Sequence, residues 1–282
     1  MIAATGESPE PRALPAEVKR HRLSTRIWHW VNALALFVML MSGLMIFNAH
    51  PRLYWGHYGA NADPAWLEIG SDPGGGYLKL GATRIGTTGA LGQSTDSQGQ
   101  IQNRAFPAWA TIPSSYDLAG ARRWHLAFAW VLGLGLLLFL IRAFINRHAQ
   151  RDLVPKPAEL RPRHLWREVK DHARLRFPTG EAALRYNILQ KLSYFAVIFL
   201  ALPLIILTGF AMSPGIDAAW PILVDMFGGR QSARSIHFIT AFLLVAFVIV
   251  HLVMVVLAGP INEVRAMITG RYRLPRAREK RP

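Results

Sequence analysis

Residues 236–258 read IHFITAFLLVAFVIVHLVMVVLA, an apolar run that contains two histidines, His237 and His251. At ~100° per residue, fourteen residues bring a helix back to nearly the same face, and at ~1.5 Å per residue they separate the rings by about 21 Å along the axis. One helix could therefore present an imidazole at two depths.

Three other segments are equally long and apolar. The four segments are each roughly 20 residues long, enough to cross a hydrocarbon layer about 30 Å thick. They are residues 27–47, 124–144, 188–212 and 236–258. Apart from four histidines, Arg142 and Lys191, they contain no other charged or imidazole side chain. The sequence therefore predicts an all-α integral membrane protein, a four-helix transmembrane bundle.

The basic residues predict the orientation of this bundle. If the amino terminus is cytoplasmic, the inner segments (1–26, 142–191 and the tail after 258) hold 24 of the 32 lysines and arginines. The positive-inside rule then places both termini in the cytoplasm of a bacterial inner membrane. The net charge of +15 flanks the spans and does not form one basic face, which argues against nucleic-acid binding.

The segments outside the spans divide the chain further. We predict a disordered cytoplasmic tail at 1–21, a membrane domain at 22–273 and a basic cytoplasmic tail at 274–282. The long periplasmic loop at 48–122 is rich in aromatic residues, which favours an ordered cap at the membrane interface or a docking surface. The connector at 146–185 alternates apolar and basic residues, as in a cytoplasmic amphipathic helix or an ordinary solvated one.

The four intramembrane histidines are the candidate metal ligands. Because the chain has no cysteine, covalent haem attachment and cysteine-ligated iron–sulfur clusters are excluded. Alternating spans place His125 and His237 toward the outer side and His29 and His251 toward the cytoplasm. We predict two haem b groups, an outer one on His125/His237 and an inner one on His29/His251. Iron with two axial imidazoles suits electron transfer. The alternative for each histidine is a packed residue or a proton relay.

Other residues near the histidines are candidates for contact with haem. Arginines lie just toward the aqueous end of three of the ligands, where they could bind haem propionates or simply anchor the spans at the interface. They are Arg26, Arg122, Arg123 and Arg234. Gly43 and Gly209 lie at mid to outer depth, where a missing side chain would let a porphyrin or a neighbouring backbone approach.

The chain resembles the di-haem cytochrome b subunits of nickel–iron hydrogenases, formate dehydrogenases and thiosulfate reductases, from about residue 22 to 273. The resemblance rests on RIWHW at 26–30, His125, YNILQK at 186–191, LTG at 207–209, and the spacing of His237 and His251. It implies a subunit that anchors a catalytic partner and passes electrons between that partner and the quinone pool.

The finer resemblance is to the thiosulfate-reductase-type branch. It depends on YNILQK and on ITGRY at 268–272, and it implies a periplasmic partner with a molybdenum cofactor. The long loop at 48–122 departs from the compact hydrogenase and formate dehydrogenase pattern, so their partners cannot be carried over directly.

Quinone chemistry needs hydrogen-bonding groups beside a haem. Asn187, Gln190, Lys191 and Tyr194 begin the third span near the predicted depth of the inner haem. Offsets of three and four place Asn187, Gln190 and Tyr194 close together on one helix face. Related formate dehydrogenase subunits bind quinone with amides at this level, so the resemblance implies a quinone site here, with His251. Ordinary helix-end polarity is the alternative.

These observations predict a membrane-anchoring di-haem b-type cytochrome that transfers electrons between the quinone pool and a periplasmic redox enzyme. Two alternatives stay open. One is a stand-alone haem b quinone oxidoreductase that accepts electrons from a small species such as superoxide. The other is a haem-free transporter that uses its histidines as a proton relay.

Overall fold

The structure, a computed structural model, describes residues 17–147, 149–174 and 187–274. The α-helices are α1 (Leu23–Asn48), α2 (Leu118–Ile145), α3 (Pro162–Ala173), α4 (Ile188–Phe195), α5 (Leu202–Ala211), α6 (Pro214–Ala219), α7 (Ile222–Met226), α8 (Arg230–Ala258) and α9 (Pro260–Thr269). The strands are β1 (Glu17–Lys19), β2 (Arg52–Leu53), β3 (Leu67–Asp72), β4 (Gly75–Leu80), β5 (Thr83–Gly86), β6 (Ser94–Thr95), β7 (Ile101–Gln102) and β8 (Arg271–Arg273).

The four predicted spans are helical, and each is long and apolar enough to cross a membrane. They are Leu23–Asn48, Leu118–Ile145, Ile188–Ala211 and Arg230–Ala258. Three of them begin four to six residues earlier than the apolar runs. For α2 the reason is local: the Asp117 side chain accepts a 2.8 Å hydrogen bond from Gly120 N and so caps the helix before its apolar part starts.

The third span is not one regular α-helix. Between α4 and α5, residues Ala196–Ala201 form a π-helical stretch, and the N–H of Leu202 bonds to the carbonyl of Val197, five residues back. Pro203 follows directly and has no N–H to donate. The wider turn therefore lets the helix continue through a residue that would otherwise break its hydrogen-bond ladder.

The chain forms two compact units. The histidine unit comprises Ile27–Pro155 and Lys191–His251 and contains most of each span. Its core takes side chains from all four spans. They are Ala35, Leu132, Leu136, Ile198, Leu202, Ile205 and Leu244. Large apolar residues on the same helices are exposed, as expected of a surface that faces lipid. They include Leu34, Phe37, Leu134, Leu138, Leu243 and Ile249.

The segment between α1 and α2 corrects the all-α prediction. It contains a four-stranded antiparallel sheet in the order β2-β3-β4-β5 and a separate hairpin of β6 and β7. Asp72 pairs with Gly75, so Pro73 and Gly74 form a two-residue turn, and Gly75 has a φ of 109° that favours glycine. Alternate β3 side chains, Leu67 and Ile69, are buried, which is the period of a half-buried strand.

This segment is attached to the start of α8, within the histidine unit. Trp66 Nε1 donates to Ser235 Oγ at 3.0 Å, and Gly56 N donates to Ser232 Oγ at 2.7 Å. A Cβ on Gly229 would lie 2.6 Å from the Gly56 backbone, so only glycine allows this approach. The loop is therefore an ordered structure fixed to the helix that contains His237 and His251.

The terminal unit comprises the described parts of Met1–Arg26, Lys156–Gln190 and Leu252–Pro282. Strand β1 pairs antiparallel with β8, so the prediction of a disordered tail through residue 21 is wrong for 17–19, where apolar Val18 faces Tyr272 across the ladder. The rest of the predicted tails, 1–16 and 275–282, lies outside the described residues.

The connector does contain a helix, α3, also in the terminal unit. Trp166 and Val169 are exposed on it, and the Lys170 ammonium lies 5.2 Å from the centre of the Trp166 ring. The residues at 175–185 that the prediction also included lie outside the described residues.

Candidate functional site

The four intramembrane histidines meet in two pairs. The ring centres of His125 and His237 are 6.3 Å apart with an interplanar angle of 57°. Those of His29 and His251 are also 6.3 Å apart, at 56°. These are the pairs that span direction and depth predict, and each joins α8 to a different helix. The role of the histidines as iron ligands stays a prediction.

The ring separation fits one metal ion between two imidazoles. Two metal–nitrogen bonds of about 2.0 Å, with about 1.1 Å from each ring centre to its nitrogen, give centres about 6 Å apart. A direct N–H···N hydrogen bond of about 2.9 Å would bring the centres to about 5 Å. Among the described residues there is no cluster of three His, Cys, Asp or Glu that could hold a metal. Two ligands per metal suit an iron whose other four ligands come from a porphyrin.

The His125 ring is held by α1. Its Nδ1 lies 3.1 Å from the carbonyl oxygen of Met39 and 3.1 Å from the hydroxyl oxygen of Ser42. That hydroxyl donates its own hydrogen to the Val38 carbonyl at 2.7 Å. Because both neighbours of Nδ1 can only accept, Nδ1 is protonated and donates, which leaves the Nε2 lone pair free for a metal.

The His237 ring is held by α5 in the same way. Its Nδ1 lies 3.1 Å from the hydroxyl oxygen of Thr208, which donates to the Leu204 carbonyl at 2.8 Å. The Thr208 oxygen can therefore only accept from the ring, and the Nε2 of His237 is also free. Both members of this pair therefore have the tautomer whose Nε2 lone pair could ligate a metal.

The two predicted packing glycines follow these hydroxyl residues directly. A Cβ on Gly43 would lie 3.3 Å from Cε1 of His125, and one on Gly209 would lie 3.5 Å from Cε1 of His237. The nearest neighbour of each glycine is thus the histidine ring itself and not another helix backbone. Because glycine has no side chain, the imidazole rings can lie against the helix at these two positions. Contact of the glycines with a porphyrin stays a prediction.

The His29–His251 pair has different surroundings. The Nδ1 of His29 is buried and has no hydrogen-bond partner among the described residues. Its ring meets Trp30 edge-on, with centres 5.1 Å apart. The His251 ring stacks on Phe247, with centres 5.9 Å apart and planes 17° apart. Within the described structure, His29 thus lacks the hydroxyl and carbonyl contacts that hold both rings of the other pair.

The four arginines predicted to bind propionates are not equivalent. Arg122 and Arg123 are exposed near the start of α2. Arg234 is half-buried, donates to the carbonyl oxygen of His50, and lies 5.6 Å from the centre of the Phe47 ring. Propionate binding by these three stays a prediction.

Arg26 belongs to the terminal unit, and its guanidinium is already bonded there. It donates to the carbonyl oxygens of Met267 and Ile268 in the last turn of α9. This role was not anticipated from sequence, and it leaves Arg26 the weakest of the four propionate candidates.

The predicted quinone residues divide between the units. In the terminal unit, Asn187 and Gln190 cap the start of α4: Asn187 Oδ1 accepts from Gln190 N at 2.9 Å, and Gln190 Oε1 accepts from Asn187 N at 3.3 Å. In the histidine unit, Lys191 is buried and Tyr194 packs against the helix core, and this unit also contains His251. Capping explains two of these polar residues without a ligand.

Two further histidines, which lie outside the four spans, have organised surroundings. His172 Nδ1 donates to the Glu168 carbonyl at 2.9 Å, and its Nε2 accepts from Asn187 Nδ2 at 3.1 Å. His50 stacks on Tyr54, and its Nε2 is buried with no partner in the described structure. Burial lowers the pKa of His50 below its usual value, and the neighbouring Arg234 and Arg52 charges lower it further.

The four spans form a helix bundle that is long and apolar enough to cross a membrane. Residues 20–270 match the family described as prokaryotic cytochrome b561, and the chain belongs to this family. The protein is therefore a b-type cytochrome of the prokaryotic inner membrane that takes part in electron transfer. Membership in a cytochrome family overturns the alternative of a haem-free transporter.

Several relatives are named as subunits of redox enzymes. A protein of Azospira oryzae named as protein-methionine-sulfoxide reductase subunit YedZ1 is 34% identical over 154 residues, which are 54% of this chain and 72% of that protein. A protein of Cupriavidus necator named as a Ni/Fe-hydrogenase B-type cytochrome subunit is 25% identical over 258 residues, 87% of this chain and 82% of that one. A relative of the same name in Azotobacter vinelandii is 22% identical over 261 residues, covering 89% and 85%.

Proposed function

We propose that the protein is the membrane-anchoring di-haem cytochrome of a redox-enzyme complex, and that it transfers electrons between the quinone pool and a periplasmic partner. The observation that supports this proposal best is the occurrence of two histidine pairs with the same 6.3 Å ring separation on one four-span bundle. His125 with His237, and His29 with His251, would each hold one haem iron. A bound haem b supplies a one-electron iron couple.

The surroundings of the pairs suit electron transfer better than chemistry at the metal. If His125 with His237 and His29 with His251 each held one haem iron, no ligand position would stay open for oxygen or a substrate. The protein's part is to fix the ligand rings, set their tautomer and hold them at two depths along α8.

The partner is proposed from the relatives and from the ordered segment between α1 and α2. The relatives reported above are named as subunits of a methionine-sulfoxide reductase or of hydrogenases, so a redox enzyme is the expected class of partner. A molybdenum cofactor in that enzyme is proposed from the thiosulfate-reductase-type resemblance alone. The sheet segment lies at the end of α1 and the start of α8, which is the end of the bundle nearer His125 and His237.

The topology is proposed from charge. Both termini and α3 would lie on the cytoplasmic side, where the lysines and arginines concentrate, and the sheet segment would be periplasmic. The exposed Trp166 and Val169 beside Lys170 would let α3 lie on the anionic leaflet.

The quinone site is proposed from sequence depth and resemblance, at Asn187, Gln190, Lys191, Tyr194 and His251. Quinol added to the purified protein should reduce its haems, and Lys191→Met should slow that reduction while leaving haem content unchanged. An equal rate in the variant would contradict the assignment of Lys191.

The stand-alone alternative differs from the proposal because it has no partner enzyme. Affinity purification from native membranes should recover a redox enzyme with the cytochrome, and recovery of the cytochrome alone would favour that alternative.

The haem proposal is tested by counting haem in ligand variants. The wild type should contain two haem b per chain, and His125→Ala and His29→Ala should each lose one, with a different spectral component missing in each. His57→Ala, which alters an exposed histidine of the sheet segment, is the matched control and should retain both haems. Loss of the same component in both ligand variants would show that the pairing is wrong.

A further inference from the structure

One hydroxyl arrangement occurs twice around the His125–His237 pair. In α1 it is formed by Ser42 and Gly43, and in α5 by Thr208 and Gly209. In both, a fully buried hydroxyl donates to the carbonyl four residues earlier, its oxygen lies 3.1 Å from the Nδ1 of a histidine, and the next residue is the glycine that makes room for that ring. We call each arrangement a hydroxyl–glycine cradle.

Each cradle also includes a backbone carbonyl three residues before the hydroxyl. For His125 this is Met39, and for His237 it is Ile205, which is a backbone hydrogen-bond partner of the ring. The histidines come from α2 and α8, and the cradles come from the two other spans. Two different helix pairs thus repeat one geometry.

The chemical effect of a cradle follows from its hydrogens. A helical serine or threonine commonly gives its hydrogen to the carbonyl four residues back, as both do here. The remaining oxygen lone pairs can then only accept, so they attract the Nδ1 proton, fix the ring's orientation and make Nε2 more basic. A more basic imidazole stabilises ferric over ferrous iron and lowers the reduction potential of the haem that it ligates.

The His29–His251 pair differs in one of its members. The Nδ1 of His29 has no acceptor among the described residues although it is buried. Its ring lies nearly perpendicular to that of Trp30, whose indole nitrogen is a hydrogen-bond donor only. The His29 imidazole therefore lacks the increase in basicity that both rings of the other pair receive.

We propose that Ser42 and Thr208 are positioning residues that lower the reduction potential of the His125–His237 haem and leave the His29–His251 haem unaffected. The inference rests on the proposed haem ligation and extends it: the protein distinguishes its two haem sites through the hydroxyls behind one pair of ligands. Electrons would then have a defined preference between two otherwise similar sites.

The test is a redox titration of purified protein that carries Ser42→Ala, Thr208→Val, or both. The component that is lost in His125→Ala should move to higher potential in each variant and further in the double variant, and the other component should not move. The low-spin ferric EPR signal of the same haem should shift as its ligand rings rotate. Ser42→Thr and Thr208→Ser, which keep a hydroxyl, should retain the wild-type potential.

Thr240→Val is the matched control. Thr240 is buried like Thr208, and its hydroxyl also donates to the carbonyl four residues earlier, that of Ile236, at 2.8 Å. In the described structure this hydroxyl makes no hydrogen bond to a histidine. Its substitution should move neither component. If Ser42→Ala or Thr208→Val loses this one haem while its hydroxyl-retaining counterpart keeps it, the positioning role is also supported.

Three results would overturn the inference. They are an unchanged potential and EPR signal with both haems retained, an equal shift of both components, and loss of both haems in Ser42→Ala. A wild-type protein without two haems would instead refute the proposed function, so the two failures are distinguishable.

Discussion

A serine or threonine hydroxyl inside a membrane helix can always donate to the backbone carbonyl one turn earlier. Its position relative to neighbouring helices decides whether it also contacts a second side chain. In the described structure the Thr240 hydroxyl makes only this local hydrogen bond, whereas the hydroxyls of Ser42 and Thr208 also contact the Nδ1 of a histidine ring. Residue type and spacing alone do not separate these cases. Helix rotation separates them, because it turns two of these three hydroxyls toward histidine rings.

The glycine of each cradle gives a prediction at the same scale. Gly43→Ala places a methyl group 3.3 Å from Cε1 of His125, closer than an ordinary contact, so the ring must shift. We expect a perturbed spectrum and weaker retention of the His125 haem. Gly209→Ala, at 3.5 Å from His237, should have a smaller effect.

The matched control for this prediction is Gly133→Ala on α2. A Cβ there would meet no atom within 4 Å, so the substitution should only gain helix propensity, about 1 kcal/mol. Thermal melting and haem retention should show Gly133→Ala at least as stable as the wild type. Equal behaviour of Gly43→Ala and Gly133→Ala would contradict the steric account.

The pairing of the histidines could be predicted from sequence, but their hydrogen bonds could not. The fourteen-residue spacing of His237 and His251 on α8, together with the alternating direction of the spans, fixes the depth of each imidazole. Depth is enough to pair His237 with His125 and His251 with His29. The contacts of Ser42 and Thr208, and the bonds of Arg26 to α9, depend on how the helices are rotated. A single sequence does not contain that information.

At the scale of elements, the segment between α1 and α2 departs most from expectation. Its strands are only two to six residues long, and its apolar residues also suit an aromatic interface loop. The missed signal was Asp72-Pro73-Gly74-Gly75 between two alternating runs, which is typical of a hairpin turn. The four spans were predicted well, because an apolar segment of about twenty residues is rarely anything other than a membrane-spanning helix.

This segment should lose stability in acid because of His50. Its pKa is lowered in the folded state, so the unfolded segment binds a proton first as the pH falls through about 6.5. The folded state is therefore most stable above that pH and loses stability below it, until the folded His50 also titrates. After correction for the slower intrinsic exchange in acid, the amide protection factors of residues 49–117 should fall between pH 7 and pH 5.

Replacing His50 with Asn should flatten this pH dependence, because no imidazole then remains beside Arg234. The exposed His57 of the same segment provides the control, and His57→Asn should retain the wild-type profile. An equal fall in protection factors in His50→Asn and in the wild type would contradict the assignment.

At the scale of the whole molecule, apolar and charged residues lie in separate segments of the sequence. This separation predicts an inner-membrane helix bundle before any motif is considered. The family match then makes the protein a b-type cytochrome. The identity of the partner could not be predicted in the same way. Partner choice depends on surface shape, and the docking surface proposed above is the sheet segment, whose strands the sequence analysis did not predict.

The central claim is that each histidine pair holds one haem iron, and an experimental density map of the purified protein in lipid tests it most directly. We predict two planar densities with central iron, one between His125 and His237 and one between His29 and His251, each bound through Nε2 on both sides. A single porphyrin, or rings of either pair turned away from the iron, would contradict the account.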